Sequence, residues 1–298
     1  MMKNILHKLL FTLIFFTAMQ NSHAQLKEVE EMWKNQLDTG KYDFKRPMYL
    51  EITEEKALKI FDRQPNFGIY RDNYFVTGIP TNKEITRYNA DAKFQISIRH
   101  RLTNTVLPFK TFLMLTYTQK CFWDIYADSA PFGDSNYNPG LTLGKPIILE
   151  NKLRGILSFA FEHESNGQDS INSRSWNYFL LSGSYYFNAN FSVQGKVWAG
   201  WVGDENKDLY KYRGYGLVAL NYRTINDKLW FSAIVNPRTK IGNFNTQLEL
   251  NLKLDSRENQ YLFIQWYNGY GEGLLEYDQY TSMVRIGICI KPPFRNIY

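Results

Sequence analysis

Three residue types in one short stretch can carry out acyl-transfer chemistry. The stretch FAFEHESNGQDSINSRSWNYF, Phe159 to Phe179, sets His163, Ser165 and Asn177 among aromatic residues. A serine hydroxyl is a weak nucleophile until an imidazole takes its proton, and a third group must hold that imidazole in the right tautomer. The same residues also suit an ordinary turn between two strands, with polar side chains at the water-exposed strand ends. The scaffold decides between these readings.

The N-terminus reads as a secretory signal over residues 1–24. Lys3 and Lys8 give a basic start, Leu9 to Met19 form a short apolar run, and Ser22-His23-Ala24 ends in small residues. The run is shorter than the roughly 20 residues a spanning helix needs, so cleavage after Ala24 is expected rather than a retained anchor. Losing two lysines leaves 33 basic against 29 acidic residues, a net charge near +4. That balance suits the neighbourhood of anionic lipid without identifying a partner.

A mean hydropathy of −0.42 resembles that of a soluble protein. The aromatic content of 16%, with 21 Tyr, 21 Phe and 7 Trp, points elsewhere. A secreted chain with alternating apolar residues and many aromatics fits a transmembrane antiparallel β-barrel, whose outer wall needs only every second residue apolar. Cys121 and Cys289 are too few for a disulfide framework and read as residues on strands.

From Asn66 onward, segments of 8 to 14 residues alternate with turn-forming clusters. The pattern predicts about twelve strands, at Phe67–Ile79, Asp91–Leu102, Thr111–Trp123, Tyr137–Leu149, Leu153–Ser165 and Ser175–Phe187, then Phe191–Val202, Tyr210–Arg223, Lys228–Asn236, Asn243–Leu254, Gln260–Tyr270 and Gln279–Lys291. An even number is required because lipid leaves no strand edge a partner, so the sheet must close. The runs Asp128–Asn136, Gly167–Asn172, Gly203–Asp208 and Gly271–Asp278 read as longer loops. Residues 25–64 form an N-terminal extension on the periplasmic side, with a short helix at Glu54–Phe61, and residues 65–298 form the barrel domain. A soluble β-sandwich is the competing architecture, but its strands are usually about 5 or 6 residues long.

On a strand, Leu157, Phe159, Phe161, His163 and Ser165 share one face and Glu162 and Glu164 the other. The carboxylates should therefore face the lumen as solvated wall residues, which puts His163 and Ser165 on the outer wall. Asn177 begins a matching stripe on the next strand, and a hairpin brings it beside His163. Polar groups at the lipid boundary cost free energy unless paired. There an amide avoids the desolvation of a carboxylate but stabilises an imidazolium less, so added positive charge near the oxyanion would be useful.

The chain resembles the outer-membrane phospholipase A family in His163-Glu164-Ser165-Asn166-Gly167 and Ser173-Arg174-Ser175-Trp176-Asn177, with the interval between them. Tyr117-Thr118-Gln119-Lys120, Ser129-Ala130-Pro131-Phe132, Asn136-Tyr137-Asn138-Pro139 and Gly269-Tyr270-Gly271-Glu272 extend the likeness over roughly residues 65–291. The resemblance implies a phospholipase in the outer membrane with Ser165 as nucleophile, His163 as base and Asn177 orienting the ring. It also implies a backbone N–H at Gly167 holding the oxyanion. Ca²⁺ would be held by the Ser173 hydroxyl, the Gln168 carbonyl and the Ser129 carbonyl of a second subunit. The family position matching Gln168 is usually basic, but a main-chain ligand makes that change a matter of affinity.

A shared calcium site implies an active homodimer. Gln119 agrees, since an amide on an apolar face can bond its copy across a twofold axis. Arg99-His100-Arg101 reads as a strand end at the headgroup level rather than a nucleic-acid patch, and no P-loop, G-x-G-x-x-G or Cys-rich metal motif occurs. The alternative is a non-enzymatic barrel, a porin or a degenerate relative, whose signature would be loss of the hydroxyl or the imidazole.

Overall fold

Period-two sequence becomes a closed ring. The computed structural model describes residues 53–292 apart from 64, 151, 189, 225–227, 241 and 255–258. The signal segment and residues 25–52 lie outside the described residues. The antiparallel strands are β1 (Phe67–Ile69), β2 (Asn73–Pro80), β3 (Asp91–Arg101), β4 (Phe112–Trp123), β5 (Phe132–Leu149), β6 (Lys152–Ser165), β7 (Ser175–Tyr186), β8 (Phe191–Val202), β9 (Gly216–Arg223), β10 (Leu229–Pro237), β11 (Phe244–Lys253), β12 (Gln260–Gly269) and β13 (Thr281–Ile290). From β2 onward neighbours in sequence pair, and β13 pairs with β2 to close the sheet.

β1 and β2 lie along the same edge of β3, opposite Ile98–His100 and Asp91–Gln95 respectively. They are two halves of one barrel strand, so the ring has twelve positions. The predicted single strand Phe67–Ile79 is thus interrupted at Tyr70–Asp72. The Arg71 N–H donates to Ser97 Oγ at 3.1 Å, and its side chain turns into the lumen. A second correction concerns Tyr210–Arg223, which starts as helix α2 (Leu209–Arg213) and becomes strand only at Gly216. A third is the loop predicted at Asp128–Asn136, where β5 already begins at Phe132. The helix predicted at Glu54–Phe61 is present as α1 (Glu54–Arg63). It is tied to the β3–β4 connection by Arg101 Nη2 donating to the Asp62 carbonyl at 2.7 Å and the Thr105 N–H donating to Asp62 Oδ1 at 2.8 Å.

Burial is inverted relative to a soluble domain. Leu115, Phe159, Leu181, Val197, Leu220 and Ile288 are exposed on the outer wall, while Arg285, Lys93, Gln265, Glu162 and Asn136 are among the largest fully buried side chains. A large exposed apolar band around a polar interior is what a lipid-spanning barrel requires. Inside, several charges are paired. Arg285 Nε and Nη2 donate to the two Asp91 carboxylate oxygens at 2.7 Å each, while Arg285 Nη1 and Lys93 Nζ meet Glu272 Oε1 at 2.8 and 2.9 Å.

Glu272 lies in the β12–β13 connection. Burial alone would raise its carboxyl pKa, but Arg285 and Lys93 outweigh that and hold it at about 2. A depressed folded-state pKa gives stability that is present above the ordinary carboxylate pKa and lost as pH falls through the folded value. Thermal unfolding in detergent should therefore shift to lower temperature between about pH 4.5 and 2, and Glu272→Gln should shrink that shift. A variant as acid-sensitive as wild type would remove Glu272 as a source.

Candidate functional site

The β6–β7 hairpin builds the candidate site at the barrel end with the longer connections. Ser165 pairs with Ser175, His163 with Asn177 and Phe161 with Phe179. The same register that aligns the aromatic stripe therefore brings the imidazole and the amide together. His163 Nδ1 and Asn177 Oδ1 lie 2.9 Å apart on the outer wall, both residues half-buried. An amide oxygen only accepts, so it calls for a proton on Nδ1 and leaves the Nε2 lone pair free to act as a base. Ser165, also half-buried, projects from the same face two residues on. Its hydroxyl makes no hydrogen bond to His163 in this structure, a contact that in such sites often tightens only with substrate.

The turn between the strands is fixed by Asn166, 2% exposed. Its Oδ1 accepts from the N–H groups of Gln168 at 3.3 Å and Arg174 at 3.0 Å, and its Nδ2 donates to the Asn172 carbonyl at 2.8 Å. Gly167 has a φ of +66°, and a Cβ there would stand 3.0 Å from the Tyr137 ring. Glycine is thus required by backbone conformation and by space. Gln168 is exposed, and Ser173 Oγ donates to Glu205 Oε1 at 3.1 Å. Glu205 belongs to a short turn after β8 that is clasped to β7 by Asn206, whose Nδ2 donates to the Ser175 carbonyl at 3.1 Å.

The other expected site residues lie on neighbouring elements. Ser129 is exposed in the β4–β5 connection with a φ of +63°, and Ala130 follows at +41°. Trp123 Nε1 pins that loop by donating to the Ala130 carbonyl at 2.8 Å. Among the described residues no hydrogen bond joins Ser129 to the β6–β7 turn within the chain. Gln119 sits on the outer face of β4, but its amide is not an orphan: Tyr117 OH donates to Oε1 at 3.0 Å and Nε2 donates to Cys121 Sγ at 3.3 Å. Among the described residues no three His, Cys, Asp or Glu side chains group into a metal cage.

Behind the hairpin, Glu162 and Glu164 are buried, 1% and 7% exposed, rather than solvated as the sequence suggests. Arg71 Nη2 donates to both Glu162 oxygens at 2.9 and 3.0 Å. Arg213 and Trp176 hold Glu164, the latter through Nε1 at 2.9 Å. In front, Phe161, Phe179 and Trp201 form an exposed apolar surface, with Phe161–Phe179 and Phe161–Trp201 ring centroids 5.3 and 6.0 Å apart. Trp201 is the register partner of Asn177. Such a surface can lie along an acyl chain.

The residues that sequence reasoning missed are Glu205, Trp201, Arg71 and Arg213. Each comes from a different strand or loop than the motif, and no local pattern marks them. Gly200 adds a steric requirement: a Cβ there would lie 1.9 Å from the Asn177 carbonyl oxygen. Gly200→Ala should push β7 and β8 apart at Asn177 and lower the unfolding temperature. An unfolding temperature equal to wild type would show that the two strands absorb the added methyl group.

Known proteins are similar to this chain in sequence and in fold. A family model described as Phospholipase A1 matches residues 62–290. The chain is 31% identical over 242 residues to Phospholipase A1 of Proteus vulgaris, covering 76% of this chain and 81% of the relative. It is 31% identical over 212 residues to Phospholipase A1 of Escherichia coli K12, covering 68% and 71%. Among solved structures it is similar to the Salmonella typhi outer membrane phospholipase dimer with bound calcium, at a TM-score of 0.67 and 25% identity over 76% of this chain and 92% of that one. The outer membrane phospholipase A of Escherichia coli gives a TM-score of 0.66 at 25% identity, covering 76% and 94%.

Proposed function

The chain belongs to the phospholipase A1 family, and on that premise we propose that this outer-membrane barrel hydrolyses glycerophospholipid acyl esters with Ser165 as nucleophile, His163 as general base and Asn177 orienting the imidazole. The observation that carries the reading is the 2.9 Å contact between His163 and Asn177, on a lipid-facing wall with Ser165 on the same face. The substrate is the surrounding membrane, so a site on the outside of the barrel meets it directly.

Ser165 Oγ attacks the ester carbonyl carbon while His163 Nε2 takes the hydroxyl proton. The tetrahedral intermediate collapses, the acyl–oxygen bond breaks, and His163 returns the proton to the departing lysophospholipid oxygen. Water then attacks the acyl-serine, again losing its proton to His163, and a fatty acid leaves as Ser165 is restored. The Gly167 N–H, presented by a turn that Asn166 fixes, is the oxyanion donor in this reading. The acyl chain lies along Phe161, Phe179 and Trp201.

The oxygens near the turn suit a hard cation: the Ser173 hydroxyl with the Glu205 carboxylate 3.1 Å away, and the Gln168 carbonyl. Calcium bound there would supply the positive charge that the neutral Asn177 does not. The Ser129 carbonyl of the partner subunit would complete the ligands, which makes the homodimer the active form.

Assays in detergent micelles separate these claims. Crosslinked dimer should hydrolyse phospholipid faster than monomer, and chelator should abolish the difference. Equal rates for dimer and monomer would overturn the dimer reading, and full activity under chelation would overturn the calcium reading while leaving the triad standing.

A further inference from the structure

The strand opposite His163 is missing a hydrogen-bond donor. Tyr137 pairs with Ser165 and Gly140 with Glu162, so Pro139 faces His163 in register. Proline has no N–H, and an unpaired carbonyl in a membrane wall is costly. The donor comes from the preceding residue: Asn138 Nδ2 donates to the His163 carbonyl at 2.9 Å. Asn138 is 7% exposed and is itself held, with Arg71 Nη1 donating to its Oδ1 at 3.3 Å. Arg71 also clamps Glu162, the residue before His163, and Tyr178 OH donates to Glu162 Oε2 at 2.7 Å. A luminal side chain thus completes a backbone rung at the residue whose other side faces lipid.

We propose that Asn138 is a positioning residue for the general base, fixing the His163 peptide and through it the direction of the imidazole. The inference rests on the reading of His163 as base. On the β5 side the pairing is interrupted at Asn138 and Pro139, so on that edge the His163 carbonyl is held by one amide and the arginine behind it, while β7 holds the other edge through the His163–Asn177 pair. Displacement of a catalytic group by a fraction of an ångström is felt in turnover more than in substrate binding.

The test is a rescue. Asn138→Ala should lower kcat about tenfold or more with KM within about twofold, at temperatures well below unfolding. Asn138→Asp keeps the shape but removes the donor, and should lose kcat similarly. Pro139→Ala supplies a backbone N–H at the vacant rung, so Asn138→Ala with Pro139→Ala should recover most of kcat, and Pro139→Ala alone should stay near wild type. The His163 limb of the kcat/KM pH profile should shift in Asn138→Ala and return in the double variant, a change that loss of folded protein does not produce. Wild-type kcat in both Asn138 variants, or a folded double variant as slow as Asn138→Ala, would overturn the proposal. If Asn138→Ala does not fold, the aspartate and double variants carry the same comparison. Full activity in Ser165→Ala would instead remove the triad reading, and this inference with it.

Discussion

Ser165→Ala is expected to lose about 10⁴-fold or more of phospholipid hydrolysis while the barrel folds normally. The magnitude follows from the triad acting as a unit: once the nucleophile is gone, a correctly held imidazole has no proton to take, and only oxyanion stabilisation and binding remain. Ser165 is half-buried at the end of β6 and its hydroxyl holds no structural hydrogen bond in this structure, so its removal should leave the unfolding temperature unchanged. That separation makes the experiment clean. The comparison is initial rates on mixed micelles with calcium present, alongside heat-modifiable gel migration as the test of folding. Residual activity above about a tenth of wild type would mean that the ester is cleaved by another group, and the roles given to His163 and Asn177 would fall too.

Arg71→Met is expected to destabilise the barrel by about 3–5 kcal/mol, the cost of leaving a buried carboxylate without its partner. Glu162 is 1% exposed and accepts two hydrogen bonds from Arg71. Tyr178 OH alone would remain to it. Removing both charges should be much less harmful, because the expense lies in the unpaired ion rather than in the absence of the pair. The pair Arg71→Met with Glu162→Leu should accordingly recover much of the loss. Denaturant unfolding in micelles measures both variants, and an Arg71→Met protein within about 1 kcal/mol of wild type would show that water reaches Glu162.

The barrel was legible in sequence because period-two alternation survives wherever one face meets lipid. Phe191–Val202 emerges as β8 with both boundaries as expected, and Ser175–Phe187 differs from β7 by one residue. The failures have specific causes. Tyr210-Lys211-Tyr212-Arg213 alternates aromatic and charged residues like a strand, yet folds as a helical turn because Leu209 before it is fully buried in a cluster with Trp176 and Leu274. Phe132 to Ser135 is rich in turn formers, but pairing with β4 draws it into β5. The hairpin motif could be found because His163, Ser165 and Asn177 lie within one turn of chain. The partners of Glu162 and Glu164 could not, since Arg71 and Arg213 are 91 and 49 residues away. A lone glutamate in sequence shows no sign of the arginine that will bury it.

The interruption between β1 and β2 also has a bearing on when the enzyme becomes dangerous to its host membrane. Arg71 enters the lumen from the first strand of the ring, and that strand is the one β13 must reach to close the sheet. In any state where this seam is open, β6 can already lie against lipid, but the clamp on Glu162 is not locked in place. On the proposed triad reading, the brace behind His163 is complete only when β13 has closed the sheet against β2. On the same reading, a barrel with that seam open holds His163, Ser165 and Asn177 without the Arg71–Glu162 clamp behind them.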